Sequence, residues 1–171
     1  LHSYIEYIYL FDAVYTNEVA APTSAWNDVA SKSINSLNNN VSELWFGAKD
    51  NIYALNNIIN SADEVLPAGQ EKDEIIAQAL AIRSYLRFQL LNWFGNFPLA
   101  FGIKANENAT QASQQEILTS IESDLNTATS SLPDTWQNGE NYFTKNTALF
   151  LLARVKLFNN DWQNVLELAN M

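Results

Sequence analysis

Hydrophobic residues recur three or four positions apart along most of the chain, which is the spacing of one face of an α-helix. Alternation of apolar and polar residues, the pattern of a half-buried β-strand, does not persist over a useful length anywhere. The predicted fold class is therefore all-α, built from antiparallel helix pairs with long irregular loops between them. The predicted helices cover residues 4–19, 41–65, 71–94, 113–132, 144–159 and 161–171.

The predicted helix over residues 71–94 carries apolar side chains around more than one face, so we expect it at the centre of the fold. It runs into the stretch WFGNFPLA, residues 93–100, which combines three aromatic side chains with a glycine and a proline. Gly95 can adopt the positive φ that ends a helix, and Pro98 prevents the helix from resuming. We expect the flanking aromatic side chains to fold back onto the helix that they follow.

The last predicted helix pair has the layout of a tetratricopeptide unit. Ala153 is small enough for two helices to approach closely, residues 159–161 form a short Asn-Asn-Asp turn, and Trp162 begins the return helix. The earlier helices do not repeat at the tetratricopeptide period of about 34 residues. We therefore expect tetratricopeptide-like packing rather than a regular array.

Residues 21–40 form the longest stretch without a helical period, and long loops in compact domains are commonly functional or disordered. Trp26 in this loop could offer a flat face to the C–H groups of a sugar. Asn17, Asn27 and Asn40 could then form hydrogen bonds with the sugar hydroxyls. The alternative is that Trp26 packs down onto the core and pins the loop.

A second pair of candidate ligand-binding residues, Trp136 and Tyr142, lies in the loop after the fourth predicted helix. A tryptophan and a tyrosine in a polar loop suit the same stacking chemistry. The remaining tryptophans fall on helices, at positions predicted to face the core: Trp45, Trp93 and Trp162.

Two polar pairings are predicted on helices. Ser113 and Glu116 have the spacing of a capping box, which would begin the fourth helix. Arg83 lies within the most apolar helix, so we expect it to pair with a buried or half-buried carboxylate between helices, in a structural role.

The composition narrows the choice of partners. The chain has 171 residues and 47% hydrophobic content, enough for a single domain over residues 1–171. The net charge of −10 repels phosphate backbones, which excludes nucleic acid as a favoured partner but does not penalise neutral ligands. Without cysteine, the chain has no disulfide, thiolate metal site or cysteine nucleophile.

The sequence offers no catalytic group that we can place. His2 is the single histidine, and no triad or metal-site partner can be named for it. The acidic pairs Asp63/Glu64 and Asp73/Glu74 lie at helix ends, where carboxylates complement the helix dipole or face solvent. The acidic residues lack the spacing of a calcium loop. We therefore predict no catalytic residue, no cofactor and no metal.

Four blocks of the sequence together follow the pattern of a known protein family. QALAIRSY followed by WFGNFPL, with Arg83, Gly95, Pro98 and Leu99 in the expected places, resembles the signature helix of the SusD/RagB family, the surface glycan-capture lipoproteins of Bacteroidetes. The chain departs from the pattern at Gln78, Ser84 and Asn96, where the family usually has Glu, Ala and Asp. The other blocks, in family order, are LWFGAKDNIYALNNII, ILTSIESDLNTATSSLP and YFTKNTALFLLARVKLFNNDW.

The resemblance implies a non-enzymatic glycan-binding component of an outer-membrane polysaccharide uptake system. It implies that this chain is the N-terminal helical part, that a lipid anchor upstream of it holds the protein at the cell surface, and that a TonB-dependent transporter is its partner. In the family, some ligand contacts lie in the loop after the first helix, which raises the interest of Trp26. The alternative is a tetratricopeptide-like scaffold whose partner is only another protein; an enzyme is a more distant alternative.

Overall fold

The computed structural model describes residues 2–100, 110–136 and 142–170, which contain helices and no strand. The prediction of an all-α fold is confirmed. The helices are α1 (His2–Tyr15), α2 (Asn27–Ala30), α3 (Asn39–Val65), α4 (Gln70–Phe94), α5 (Gln114–Ser131), α6 (Lys145–Phe158) and α7 (Trp162–Ala169).

The helix boundaries differ from the prediction mainly before α3. Helix α1 ends at Tyr15 rather than near residue 19, and Asn17 follows with a φ of 63°. Asparagine tolerates this left-handed conformation better than most residues, so it ends the helix here. The predicted loop 21–40 contains a 3₁₀ turn at Ser24–Trp26 and the single-turn helix α2. These short elements bury Trp26 and Val29. Two apolar residues are too few to show a helical period in the sequence.

The chain divides into two compact units, residues 1–51 and 52–171, with the boundary inside α3. The first unit contains α1, α2 and the first half of α3. Tyr4 donates its hydroxyl hydrogen to the carbonyl of Leu44, which links α1 to α3. The prediction of one domain over residues 1–171 stays a prediction.

In the second unit, α4 packs against α5, α5 against α6, and α6 against α7. Ten residues of α4 are buried, as expected for a central helix with apolar side chains on several faces. Gly95 follows α4 with a φ of 69°, as its place at the end of the helix predicts, and Phe97 is completely buried. The Ser113–Glu116 capping box is present at the start of α5.

Candidate functional site

Trp26 lies at the end of the 3₁₀ turn, and only 8% of its surface is exposed. Its ring centroid is 5.3 Å from that of Tyr7 and 6.4 Å from that of Phe11, both on α1. The indole therefore packs among the aromatic side chains of the first unit. This burial supports the alternative in which Trp26 pins the loop, and sugar binding by Trp26 stays a prediction.

The three asparagines predicted around Trp26 have different surroundings. The side chain of Asn40 already forms hydrogen bonds within the protein: its oxygen accepts from the hydroxyl of Tyr7 (2.9 Å), and its amide group donates to the carbonyl of Ala25 (2.9 Å). Asn27 is exposed. Asn17 is also exposed; oriented to suit its neighbours, its amide donates to the carbonyl of Ala30. Ligand binding by these asparagines stays a prediction.

The phenol of Tyr7 belongs to the same cluster. Burial raises its pKa to about 12, and the nearby carboxylate of Glu43 adds to the rise. Tyr7 is consequently neutral at physiological pH and keeps the hydrogen that it donates to Asn40.

Trp136 and Tyr142 come together in the second unit. Their ring centroids are 5.6 Å apart and their planes are inclined at 57°, a tilted aromatic contact. Trp136 is half-buried, whereas 61% of Tyr142 is exposed. The structure thus places an accessible phenol ring against a partly buried indole, which makes this pair the stronger of the two aromatic candidates.

Two side chains, those of Trp136 and Gln78, form hydrogen bonds with the backbone of Phe143, the residue after Tyr142. The indole N–H of Trp136 donates to the Phe143 carbonyl at 2.8 Å, and the side-chain amide of Gln78 also bonds to Phe143. The backbone N–H of Lys145 donates to the carbonyl of Pro133 at 2.9 Å. Gln78 is not among the predicted site residues; the one feature of the sequence that distinguishes it is a glutamine where the family usually has glutamate.

Arg83 has the structural role that was predicted for it. Its guanidinium donates two hydrogen bonds to the carboxylate of Asp124 on α5 and a third to the side chain of Asn56 on α3. Arg87 donates to the same carboxylate and to Ser120. Burial and the neighbouring Arg83 lower the pKa of Arg87 to about 10, so it remains charged at pH 7.

The prediction that all three helical tryptophans face the core is wrong for Trp162. Its exposed fraction is 59%, whereas Trp45 and Trp93 are half-buried. Trp162 is the first residue of α7, a helix that buries none of its residues. An apolar residue at helical spacing is buried only where a neighbouring element covers that face.

The described residues of the two acidic pairs are exposed or half-buried, and the absence of a catalytic residue stays a prediction. Glu64 and Asp73 are exposed and Glu74 is half-buried, whereas the side chains of His2 and Asp63 lie outside the described residues.

Across the part of the chain that the structure describes, no three His, Cys, Asp or Glu side chains are placed to share a metal ion. Within those same ranges, every helix is too short or too polar to span a lipid bilayer.

The fold defines an all-α protein of packed helix pairs. Over residues 5–157 the sequence matches the family of SusD-like proteins, described as starch-binding and associating with the outer membrane. The chain belongs to this family. None of the curated proteins matches the sequence.

Solved structures show the same fold at low sequence identity. A laminarin-binding SusD-like protein superposes with a TM-score of 0.77 at 23% identity, covering 88% of this chain and 33% of its own. A SusD-like carbohydrate-binding protein from Bacteroides fragilis gives 0.70 at 22% identity, covering 79% and 27%. A structure solved with a xylogluco-oligosaccharide gives 0.71 at 20%, covering 88% and 32%. The chain therefore spans about a third of the length of these relatives.

Proposed function

We propose that this chain is a non-enzymatic glycan-binding part of an outer-membrane polysaccharide uptake system of a Bacteroidetes bacterium. Membership of a family described as starch-binding supports the proposal, as do the carbohydrate ligands named for two of the structures with this fold. The ligand is an oligosaccharide or polysaccharide, captured and passed on without covalent change.

The observation that carries the proposal is the exposed ring of Tyr142 beside Trp136. A sugar ring has faces of C–H groups that stack on an aromatic face, and its hydroxyls remain free for hydrogen bonds with polar neighbours. A single accessible ring gives weak binding, which suits a protein that must release its ligand. Simultaneous engagement of a long glycan by several sites would raise the apparent affinity.

The charge of the chain suits a neutral glycan. A net charge of −10 neither attracts nor repels an uncharged sugar, whereas it disfavours sulfated or uronic acid chains. We therefore expect neutral glucans and related polysaccharides to bind better than acidic ones, and this preference to weaken as salt screens the charge.

The partner that we propose is a TonB-dependent outer-membrane transporter, with the full-length protein held at the cell surface by a lipid anchor. The family description, which places these proteins at the outer membrane, supports this arrangement. Capture at the surface and delivery to a transporter would give a weak binding site a function, because the transporter removes the glycan from the equilibrium.

The test compares the oligosaccharide binding of Tyr142→Ala with that of Tyr9→Ala. Tyr9 is a matched control, since it is 64% exposed but lies on α1 in the first unit. With laminarin and xyloglucan oligosaccharides in isothermal titration calorimetry, we expect Tyr142→Ala to weaken binding about tenfold, or about 1.4 kcal/mol. Tyr9→Ala should bind as the natural chain does. Equal binding by all three proteins would remove Tyr142 from the site.

A helical scaffold for a protein partner is the second candidate. It is favoured by the large apolar side chains that α6 and α7 leave exposed: Phe150, Leu157, Phe158, Trp162 and Leu166. Exposed apolar groups that cluster on a helical surface commonly mark protein contacts. If the chain binds neither laminarin nor xyloglucan oligosaccharides, a scaffold for a protein partner becomes the better explanation of its function.

A further inference from the structure

Gln78 makes a two-way contact with a backbone unit 65 residues further along the chain. Its side-chain N–H group donates to the carbonyl of Phe143, and its side-chain oxygen accepts from the N–H of Phe143 at 3.0 Å. A primary amide can satisfy both groups of one residue because it carries a donor and an acceptor side by side. Gln78 thus pairs with Phe143 as a neighbouring β-strand would.

The same carbonyl also anchors the indole of Trp136. The Phe143 oxygen has two lone pairs, and it accepts one hydrogen bond from Gln78 and one from Trp136 at 2.8 Å. Tyr142 immediately precedes Phe143. The peptide unit between them, whose N–H bonds to Gln78, therefore also positions the Cα atom from which the Tyr142 side chain extends. One side chain of the central helix α4 therefore constrains both aromatic rings.

We propose that Gln78 is the positioning residue of the Trp136–Tyr142 pair: its amide fixes Phe143, and Phe143 fixes the two rings. The proposal rests on the proposed glycan-binding function for its consequence, since the Tyr142 ring must keep its 5.6 Å, 57° arrangement against Trp136 to present its exposed face to a sugar. Gln78 itself does not contact the sugar. It acts through the backbone, and its donor and acceptor are both required.

The variant Gln78→Glu removes the donor of the side chain and keeps the acceptor, with almost no change of shape. An ionised Glu accepts from the N–H of Phe143 but cannot donate to its carbonyl, and the negative charge repels that oxygen. A protonated Glu carries one O–H donor and one acceptor, so it restores the two-way contact. A glutamic acid has a pKa of about 4.3 in model peptides; burial and the facing carbonyl favour its protonated form, and the N–H of Phe143 favours its ionised form. Acidification should therefore rescue this variant.

Nitrogen-15 NMR of the indole N–H groups is the direct readout. The chain has five tryptophans, and the Trp136→Phe variant identifies the signal of Trp136 by its absence. In Gln78→Glu at pH 7 we expect this signal to shift and its hydrogen exchange to quicken at least tenfold, with weaker oligosaccharide binding. At pH 4 the signal, exchange rate and binding should return toward those of the natural chain at that pH.

Gln89→Glu is the matched control, because Gln89 is a half-buried glutamine on the same helix whose side chain donates to the hydroxyl of Tyr85 at 3.0 Å. It should leave the Trp136 signal in place at both pH values. Gln78→Met, which has no donor and only a weakly accepting sulfur, should shift the signal at both pH values without rescue. It also serves if Gln78→Glu does not fold.

An unshifted Trp136 signal in Gln78→Glu at pH 7, or a shift that acidification does not reverse, would overturn the positioning role. Weaker glycan binding with an unmoved Trp136 signal would overturn it as well. Failure of the proposed function has a different signature: the natural chain binds no oligosaccharide, while the Trp136 signal still responds to Gln78→Glu and recovers at pH 4. That result would support the positioning role and reject the glycan.

Discussion

Arg83 and Asp124 form a bidentate ion pair that joins α4 to α5, with Nε–Oδ2 and Nη2–Oδ1 distances of 2.8 Å and 2.7 Å. The side chains are 15% and 11% exposed, so the pair is largely shielded from water. The carboxylate also accepts a hydrogen bond from Arg87 at 3.0 Å. One buried carboxylate therefore pairs with two guanidinium groups, and its loss would leave both without their counter-ion.

Asp124→Asn should destabilise the chain strongly. The amide keeps the shape of the side chain but leaves the buried Arg87 and the half-buried Arg83 without a counter-charge, which costs about 3–5 kcal/mol. Urea unfolding followed by circular dichroism measures the loss. Asp134→Asn, at an exposed position in the loop after α5, is the control and should change the free energy of unfolding by less than about 0.5 kcal/mol. Similar values for the two variants would contradict a central role for the ion pair.

Gly47→Ala should destabilise the chain although alanine favours helix more than glycine does. A Cβ atom at position 47 would overlap the ring of Tyr4, whose hydroxyl bonds to the carbonyl of Leu44. Displacing that ring costs about 1–3 kcal/mol, which exceeds the gain in helix propensity of about 1 kcal/mol. Unfolding measurements should therefore show a net loss of stability.

The Tyr4→Ala background tests the cause of that loss. With the ring removed, Gly47→Ala should become stabilising, by up to about 1 kcal/mol, because only the helix propensity remains. The same sign of effect in both backgrounds would show that the ring of Tyr4 is not responsible.

Trp26→Leu should lower stability by about 1–3 kcal/mol, because leucine fills less of the space against Tyr7 and Phe11. Oligosaccharide affinity should stay the same, in contrast to the effect of Tyr142→Ala. Calorimetry of unfolding and of binding on the same sample separates the two effects. A large loss of affinity in a folded Trp26→Leu variant would instead support the sugar-stacking interpretation of this residue.

Asp161 gives the start of α7 a predictable pH dependence. Its hydrogen bond with the side chain of Asn164, and next the pairing with Lys156, hold the pKa of this carboxyl below 3.8 in the folded chain. Between the folded and unfolded pKa values the unfolded chain binds more protons. The stabilisation by Asp161 is consequently full above pH 3.8 and is lost as the pH falls through the folded pKa.

Asp161→Asn should therefore reduce the hydrogen-exchange protection of the α7 amides at pH 7. The difference from the natural chain should shrink below pH 3.8 and vanish below the folded pKa. Comparing exchange in the two proteins across this range, corrected for intrinsic rates, checks the sign. A difference that grows on acidification would mean that Asp161 acts through something other than its charge.

The positions of the helices followed from local information. The helical period is set by neighbouring residues, so α3, α4, α5 and α6 begin and end within two residues of their predicted bounds. The capping box at Ser113 and the positive φ of Gly95 are also local, since they depend on residues at most three positions away or on the absence of a Cβ atom. The four blocks that resemble the family can likewise be read from consecutive residues of the sequence.

The exposure of each aromatic side chain was decided by tertiary structure. Trp26 and Tyr142 both lie in predicted polar loops, yet α1 covers the first and 61% of the second is exposed. The sequence alone predicted a carboxylate for Arg83 but could not name Asp124, which is 41 residues away. Gln78 and Phe143 are 65 residues apart. Burial and pairing depend on which distant segments the fold brings together, and that information is absent from a local pattern.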